Sequence, residues 1–189
     1  SGTVGGGFEN EAGGSAAVIA GGFRNSTSGN LSALVGGQDN HASGLLSFVG
    51  GGLANQSTGL TSTVAGGETN KATAEISTVG GGRLNKALGV SAVVAGGAMN
   101  TVTASFGGAV GGGEQNQVAA NHASISGGLE NESEGIAAHV GGGANNSANG
   151  LASVVSGGSG NGALGINSTV GGGTGNSASS AVTFIGGGS

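Results

Sequence analysis

The chain has no proline, no cysteine, no tryptophan and no tyrosine, and charged residues make up only 7% of its 189 positions. Average domains carry about 25% charged residues and about 7% glycine. Here glycine supplies 48 residues and phenylalanine, the main aromatic, only five. Too few large apolar side chains are present to assemble an ordinary globular core. The missing proline, together with glycines that do not fall at every third residue, excludes a collagen triple helix. Four Lys and Arg against nine Asp and Glu leave a net charge of −5, so there is no basic stripe to neutralise phosphates and nucleic acid is excluded as a partner. No apolar run approaches the roughly 18 residues of a membrane span, and no charged segment followed by an apolar one marks a signal peptide. No membrane contact is therefore expected from this segment. The absence of cysteine leaves the redox compartment open.

What is present is periodic. Asparagine recurs at Asn10, Asn25, Asn40, Asn55, Asn70, Asn85 and Asn100, then at Asn116, Asn131, Asn146, Asn161 and Asn176. The step is fifteen residues, with a single step of sixteen between Asn100 and Asn116. High glycine content by itself suggests a flexible low-complexity chain, but fixed-period self-similarity is the signature of stacked repeats. With Asn as position 1, the consensus is N-x-A-x-G-x-x-S-x-V-x-G-G-x-x. Position 10 is aliphatic in all twelve copies: Ile19, Leu34, Val49, Val64, Val79, Val94, Val110, Ile125, Val140, Val155, Val170 and Ile185. Positions 12 and 13 are always Gly-Gly, from Gly21-Gly22 to Gly187-Gly188. The array spans residues 1–189 as a single unit, and its one-residue insertion falls within 104–109, around Phe106-Gly107-Gly108. It begins and ends partway through a repeat, as a slice of a longer protein would.

Small or apolar residues at positions 8, 10 and 12 alternate with variable ones, and positions 1, 3 and 5 do the same, which is the period of strands with one buried face. A helix is excluded, because a Gly-Gly pair in every repeat costs roughly 1 kcal/mol per glycine. All thirteen charged residues lie at positions 14, 15, 2, 4 or 6, for example Arg24, Asp39, Lys71 and Glu134, and none lies between positions 7 and 13. Since burying an unpaired charge is costly, that gap marks the stretch expected to be shielded from water. The expected fold is therefore all-β: a parallel β-solenoid of about twelve 15-residue coils. At about 4.8 Å per coil the rod is roughly 58 Å long. The asparagines then form a ladder in which each amide bonds the next, and Asn tolerates the left-handed turn conformation. One aliphatic side chain per coil makes a thin core, and burying the charge-free stretch against other copies favours a closed homo-oligomer.

Written across the repeat boundary as A-x-G-x-x-S-x-V-x-G-G-x-x-N-x-A-x-G, the segment Ala42 to Gly59 resembles the head repeats of YadA-like trimeric autotransporter adhesins, with Ser57 in place of the second Ala. The repeat also resembles those of tail-fibre-type proteins of phages and bacteria. The resemblance covers the whole chain. It implies a left-handed parallel β-roll, intertwined or side by side with its copies as a homotrimer, located outside the cell, on its surface or in a virion fibre. It carries over no binding residue.

Candidate chemistry is sparse. His41, His122 and His139 occupy positions 2, 7 and 9, so they do not stack as metal ligands would, and read as surface or gap-filling residues. Glu130, Glu132 and Glu134 alternate and read as a solvated acidic face, while Glu68 and Arg83, both at position 14 in adjacent coils, are expected to pair. Stretches such as Gly171-Gly172-Gly173-Thr174-Gly175 lack the G-K-[ST] ending of a phosphate loop, and Asp39 is the only Asp, too few for a calcium-binding solenoid. No nucleophile, base or carboxylate pair stands apart from the repeat, so no enzymatic activity, cofactor or metal is expected. Sequons at Asn25, Asn30, Asn55, Asn131, Asn145 and Asn167 are candidate acceptors if the chain enters a glycosylating pathway. The expected role is a non-catalytic extracellular structural or adhesive segment, a surface adhesin head or filament subunit, with a phage or virus fibre shaft as its variant. Its partners are other copies of itself and a host-surface or matrix ligand. From another class, an ice-binding solenoid needs an unbroken Thr row, and Thr63, Thr78 and Thr169 at position 9 are interrupted by Phe48, His139 and Phe184.

Overall fold

A computed structural model describes residues 1–189, all of it β-structure and turns without a helix. Each repeat makes one coil. Positions 9 and 10 form two-residue strands such as Thr78–Val79, and positions 2 and 3 form strands such as Lys71–Ala72. The first set stacks into a 13-stranded parallel sheet and the second into a 12-stranded one, giving a β-solenoid. Register follows the repeat, with Val79 beside Val94 and Ala72 beside Ala87. A third row of parallel bridges, absent from the sequence reading, runs through position 14 from Phe8 and Phe23 to Ser159 and Thr174.

Strands this short cannot hold the fold. Of 121 backbone hydrogen bonds only 23 lie within strands; most of the other 98 also run from coil to coil, through residues at the strand ends, such as Thr63 N–H to the Ser77 carbonyl, and through stacked turns, such as Glu68 N–H to the Gly82 carbonyl. Inward-facing positions are 1, 3, 5, 8 and 10. Position 10 is fully buried from Ile19 to Val170 and half-buried at Ile185 in the last coil. Position 3 adds Ala72, Val102 and Val118, and position 8 adds Ser62, Ala92 and Ala138. The interior is thus broader than one aliphatic per coil, and a single chain encloses its own core. Position 12 departs from the expected alternation, because the chain turns after position 10 and leaves these glycines partly exposed. Likewise the charge-free stretch is not shielded throughout. Its positions 8 and 10 point inward, while 7 and 9 keep partial or full exposure with no charge on them.

Beside the glycine of position 13, the corners at positions 7 and 15 also have positive φ, and there the residue is seldom glycine. Ile76, Leu84, Met99 and Val182 have φ between 56° and 59°. The ladder asparagines themselves do not adopt it, contrary to expectation; the residue before each of them does. Stacking on the neighbouring coils overrides the intrinsic cost of roughly 1–2 kcal/mol per residue.

The two invariant glycines have different reasons. Gly97, at position 13, has φ +87°, and a Cβ there would strike the carbonyl oxygen of Gly113 and lie 2.7 Å from Nδ2 of Asn100. Gly96, at position 12, has nothing within 4 Å of such a Cβ. Gly97→Ala should therefore cost about 2 kcal/mol through backbone strain and overpacking, and Gly96→Ala clearly less, as read by urea denaturation. Equal losses would show that the steric distinction between the two positions is wrong.

The sixteen-residue coil accommodates its extra residue at one corner. Phe106 bridges Val90 and Gly107 takes the left-handed position with φ +67°, so Ser105 is the inserted residue, and the sheets resume with Val93 beside Ala109.

Candidate functional surfaces

No cavity or cleft opens on the rod, so its candidate functional features are linear. The first is the asparagine column. Each Asn from Asn25 to Asn161 is buried, and the half-buried Asn10 and Asn176 close the row. Asn70 is typical. Its Oδ1 accepts the backbone N–H of Asn85 at 2.9 Å, and its Nδ2 donates to the carbonyls of Gly66 at 2.9 Å and Gly82 at 2.8 Å. The backbone link to the next Asn recurs at every step, from Asn25 on Asn10 to Asn176 on Asn161. Direct amide-to-amide bonds occur at only some steps, such as Asn40 to Asn25 at 3.2 Å and Asn131 to Asn116 at 3.0 Å. The expected chain of amides is therefore mainly a splice between amides and glycine-turn backbone. Such buried, saturated groups have nothing left for a ligand.

The charged residues occupy a second side. Arg24 and Asp39, both at position 15, form the ion pair of the surface at 3.3 Å, and the Arg24 guanidinium also lies 4.5 Å over the Phe23 ring, which stacks on Phe8. With half of the Arg24 side chain in water this pair contributes little. Glu68 and Arg83 are neighbours on the position 14 row of backbone bridges, but the ion pair expected between them is not formed. Glu130, Glu132 and Glu134 are exposed, and Glu130 sits in a left-handed corner with φ 54°, so the three do not line one strand. No three His, Asp or Glu side chains converge as a metal site would require.

The third side is the sheet face at positions 9 and 11. His139 and Ser124, neighbours on position 9, bond through Nδ1 and Oγ at 2.9 Å. Thr63 and Thr78 are adjacent in register, but Thr78 is followed by Val93. The sequons divide by depth: Asn25, Asn55 and Asn131 belong to the buried column, whereas Asn30, Asn145 and Asn167 are exposed at corners.

A fourth feature was missed in the sequence. Positions 6 and 7 form a corner that carries apolar side chains along the length of the rod, among them Leu45, Leu60 and Ile136. Across single repeats these two positions look random, as in Ser15-Ala16 or Asn30-Leu31. Only columns of stacked coils reveal the row.

Comparison with models of known protein families finds no match, and comparison with curated proteins finds no relative.

Proposed function

We propose that this chain is a non-catalytic structural or adhesive fibre segment that works outside the cell, as part of a surface adhesin head, a filament or a virion fibre. The observation that carries the reading is the uninterrupted stacking of turns through the asparagine column, from Asn10 to Asn176. Every coil is spliced to the next by the same buried amide, so the chain forms a rod of roughly 58 Å with a different side chain row on each side. Such a rod holds groups at fixed spacing and distance, which suits a spacer or a repetitive adhesive surface. The likeness of Ala42 to Gly59 to trimeric adhesin heads supports the same reading. Its partners are other copies of itself, for which a three-fold bundle is one closed form, and a host-surface or matrix ligand.

Antibodies raised against the rod should label intact, unpermeabilised cells, or isolated virions or filaments, of the source. Labelling that appears only after permeabilisation would overturn the extracellular placement.

A further inference from the structure

Only two asparagines of the chain are followed by glycine, Asn149 and Asn161. That dipeptide is chemically labile, because the glycine nitrogen can attack the side-chain carboxamide carbon and no Cβ on the following residue hinders its approach. The structure separates the two. Asn161 belongs to the buried column, where its Oδ1 accepts the N–H of Asn176 at 3.0 Å and its Nδ2 donates to the carbonyls of Gly157 at 3.0 Å and Gly173 at 2.9 Å. To present its carboxamide to Gly162 it would have to break these bonds inside the rod, so the fold protects it. Asn149 lies at position 4, half-buried, and its Oδ1 is shut off from water without any donor, so no bond of that oxygen has to break. Its attacking nitrogen is held loosely as well. Gly150 N–H shares the Ala163 carbonyl with the Asn149 N–H, at 3.1 and 3.0 Å, whereas Gly162 N–H donates to the Asn176 carbonyl at 2.8 Å.

We propose that Asn149 is a site of spontaneous, irreversible modification, at which asparagine converts to a mixture of aspartate and isoaspartate. In the first step the Gly150 nitrogen bonds to Cγ of Asn149, gives up its proton and expels the side-chain nitrogen as ammonia, which closes a succinimide ring. In the second, water adds to one of the two ring carbonyls and opens the ring. Breaking the bond from Cγ to nitrogen leaves aspartate; breaking the bond from the backbone carbonyl to nitrogen leaves isoaspartate, whose main chain runs through the former side chain and is longer by one carbon. Water is consumed and ammonia released, with no change of oxidation state.

The stack itself demands the residue that makes this sequence labile, since a Cβ on Gly150 would strike the carbonyl oxygen of Gly165. Position 4 carries no such demand, holding Ser28, Ser43, Thr58 and Thr73 in other coils, and Asn149 is the one asparagine there. Either product bears on the rod. Ala148 is in register with Ser133, so residue 149 lies one coil from Glu134, and a carboxylate there adds to the charge of Glu130, Glu132 and Glu134. Isoaspartate lengthens the coil just before the corner that Ala152 N–H fixes on the Ile136 carbonyl at 2.9 Å, and loosens it. The asparagine column still joins the coils on both sides, because the Asn146 Oδ1 accepts the Asn161 N–H at 3.0 Å. The modification thus marks the age of the rod without severing it.

Folded chain held for days at neutral and at mildly alkaline pH should lose Asn149, as read by peptide mapping and mass spectrometry. Its rate should exceed that of Asn161 by roughly tenfold or more, because Asn161 must wait for local opening of the column. Loss should be faster at the higher pH, since the peptide nitrogen attacks after giving up its proton. In concentrated urea, where neither side chain is held, the two sites should convert at similar rates. The urea midpoint of the aged parent should fall, whereas that of an equally aged Asn149→Ser chain, which carries the residue found at Ser28 and Ser43, should not. Equal conversion of Asn149 and Asn161 in the folded chain would overturn the inference, and so would an intact Asn149 in folded chain after a time that suffices to convert Asn161 in urea.

Discussion

Val79→Asp should lower the stability of the rod by about 4 kcal/mol or more, since a carboxylate buried without a partner is among the most costly single changes. Val79 has no exposed surface and is stacked between Val64 and Val94, so no rotamer brings a carboxylate there to water. In a solenoid each coil contacts only its neighbours, and a broken coil also removes the support of the coils on both sides. The thermal transition should therefore drop sharply or split in two. Lys71→Asp is the matched control. Lys71 lies on the outward face of its strand beside Lys86, and the change replaces a like-charge neighbour with an opposite one at the surface. Its effect should stay within about 0.5 kcal/mol. Similar melting temperatures for the two variants would mean that inside and outside are exchanged.

Asn70→Ala should cost about 3 kcal/mol in chemical denaturation. Loss of the amide leaves the backbone N–H of Asn85 without its only partner, and takes from the Gly66 carbonyl the hydrogen bond at 2.9 Å that it accepts. The Gly82 carbonyl keeps a second donor, the backbone N–H of Glu68, and adds little to the loss. Each buried group left unmade costs roughly 1–3 kcal/mol. Asn176→Ala should cost under about 1 kcal/mol, because Asn176 is half-buried and its Oδ1 accepts no backbone N–H in this chain. Equal and negligible losses at both sites would remove the structural role of the column and make it a recognition surface.

Much of this architecture was legible in the sequence because the repeat averages out local noise. One coil per repeat followed from the spacing of Asn and Gly-Gly. The inward direction of positions 3, 5, 8 and 10 followed from their small or aliphatic residues and the outer side from the thirteen charges, whereas the same alternation extended inward to the position 12 glycines, which the turn after position 10 leaves partly exposed. Those features are dictated coil by coil: a charge at Val79 or a large side chain at Gly97 is forbidden within each coil and its immediate neighbours, so every copy carries the mark.

The tertiary structure decided what depends on how coils rest on one another. Ile76, Leu84 and Met99 carry no left-handed signal of their own, and only stacked hydrogen bonds hold their corners at positive φ. The expected exchange between amides became mainly a bond from amide to backbone, because the next Asn presents its N–H to Oδ1 while the glycine turn presents carbonyls to Nδ2. The extra residue of the seventh coil could be bracketed by sequence but placed at Ser105 only by the bridge between Val90 and Phe106. The apolar corner was hidden for the same reason. Leu45, Phe106 and Ile166 are each one unremarkable residue at a variable position, and they become a continuous surface only when stacking brings coils separated by fifteen residues of chain to about 4.8 Å.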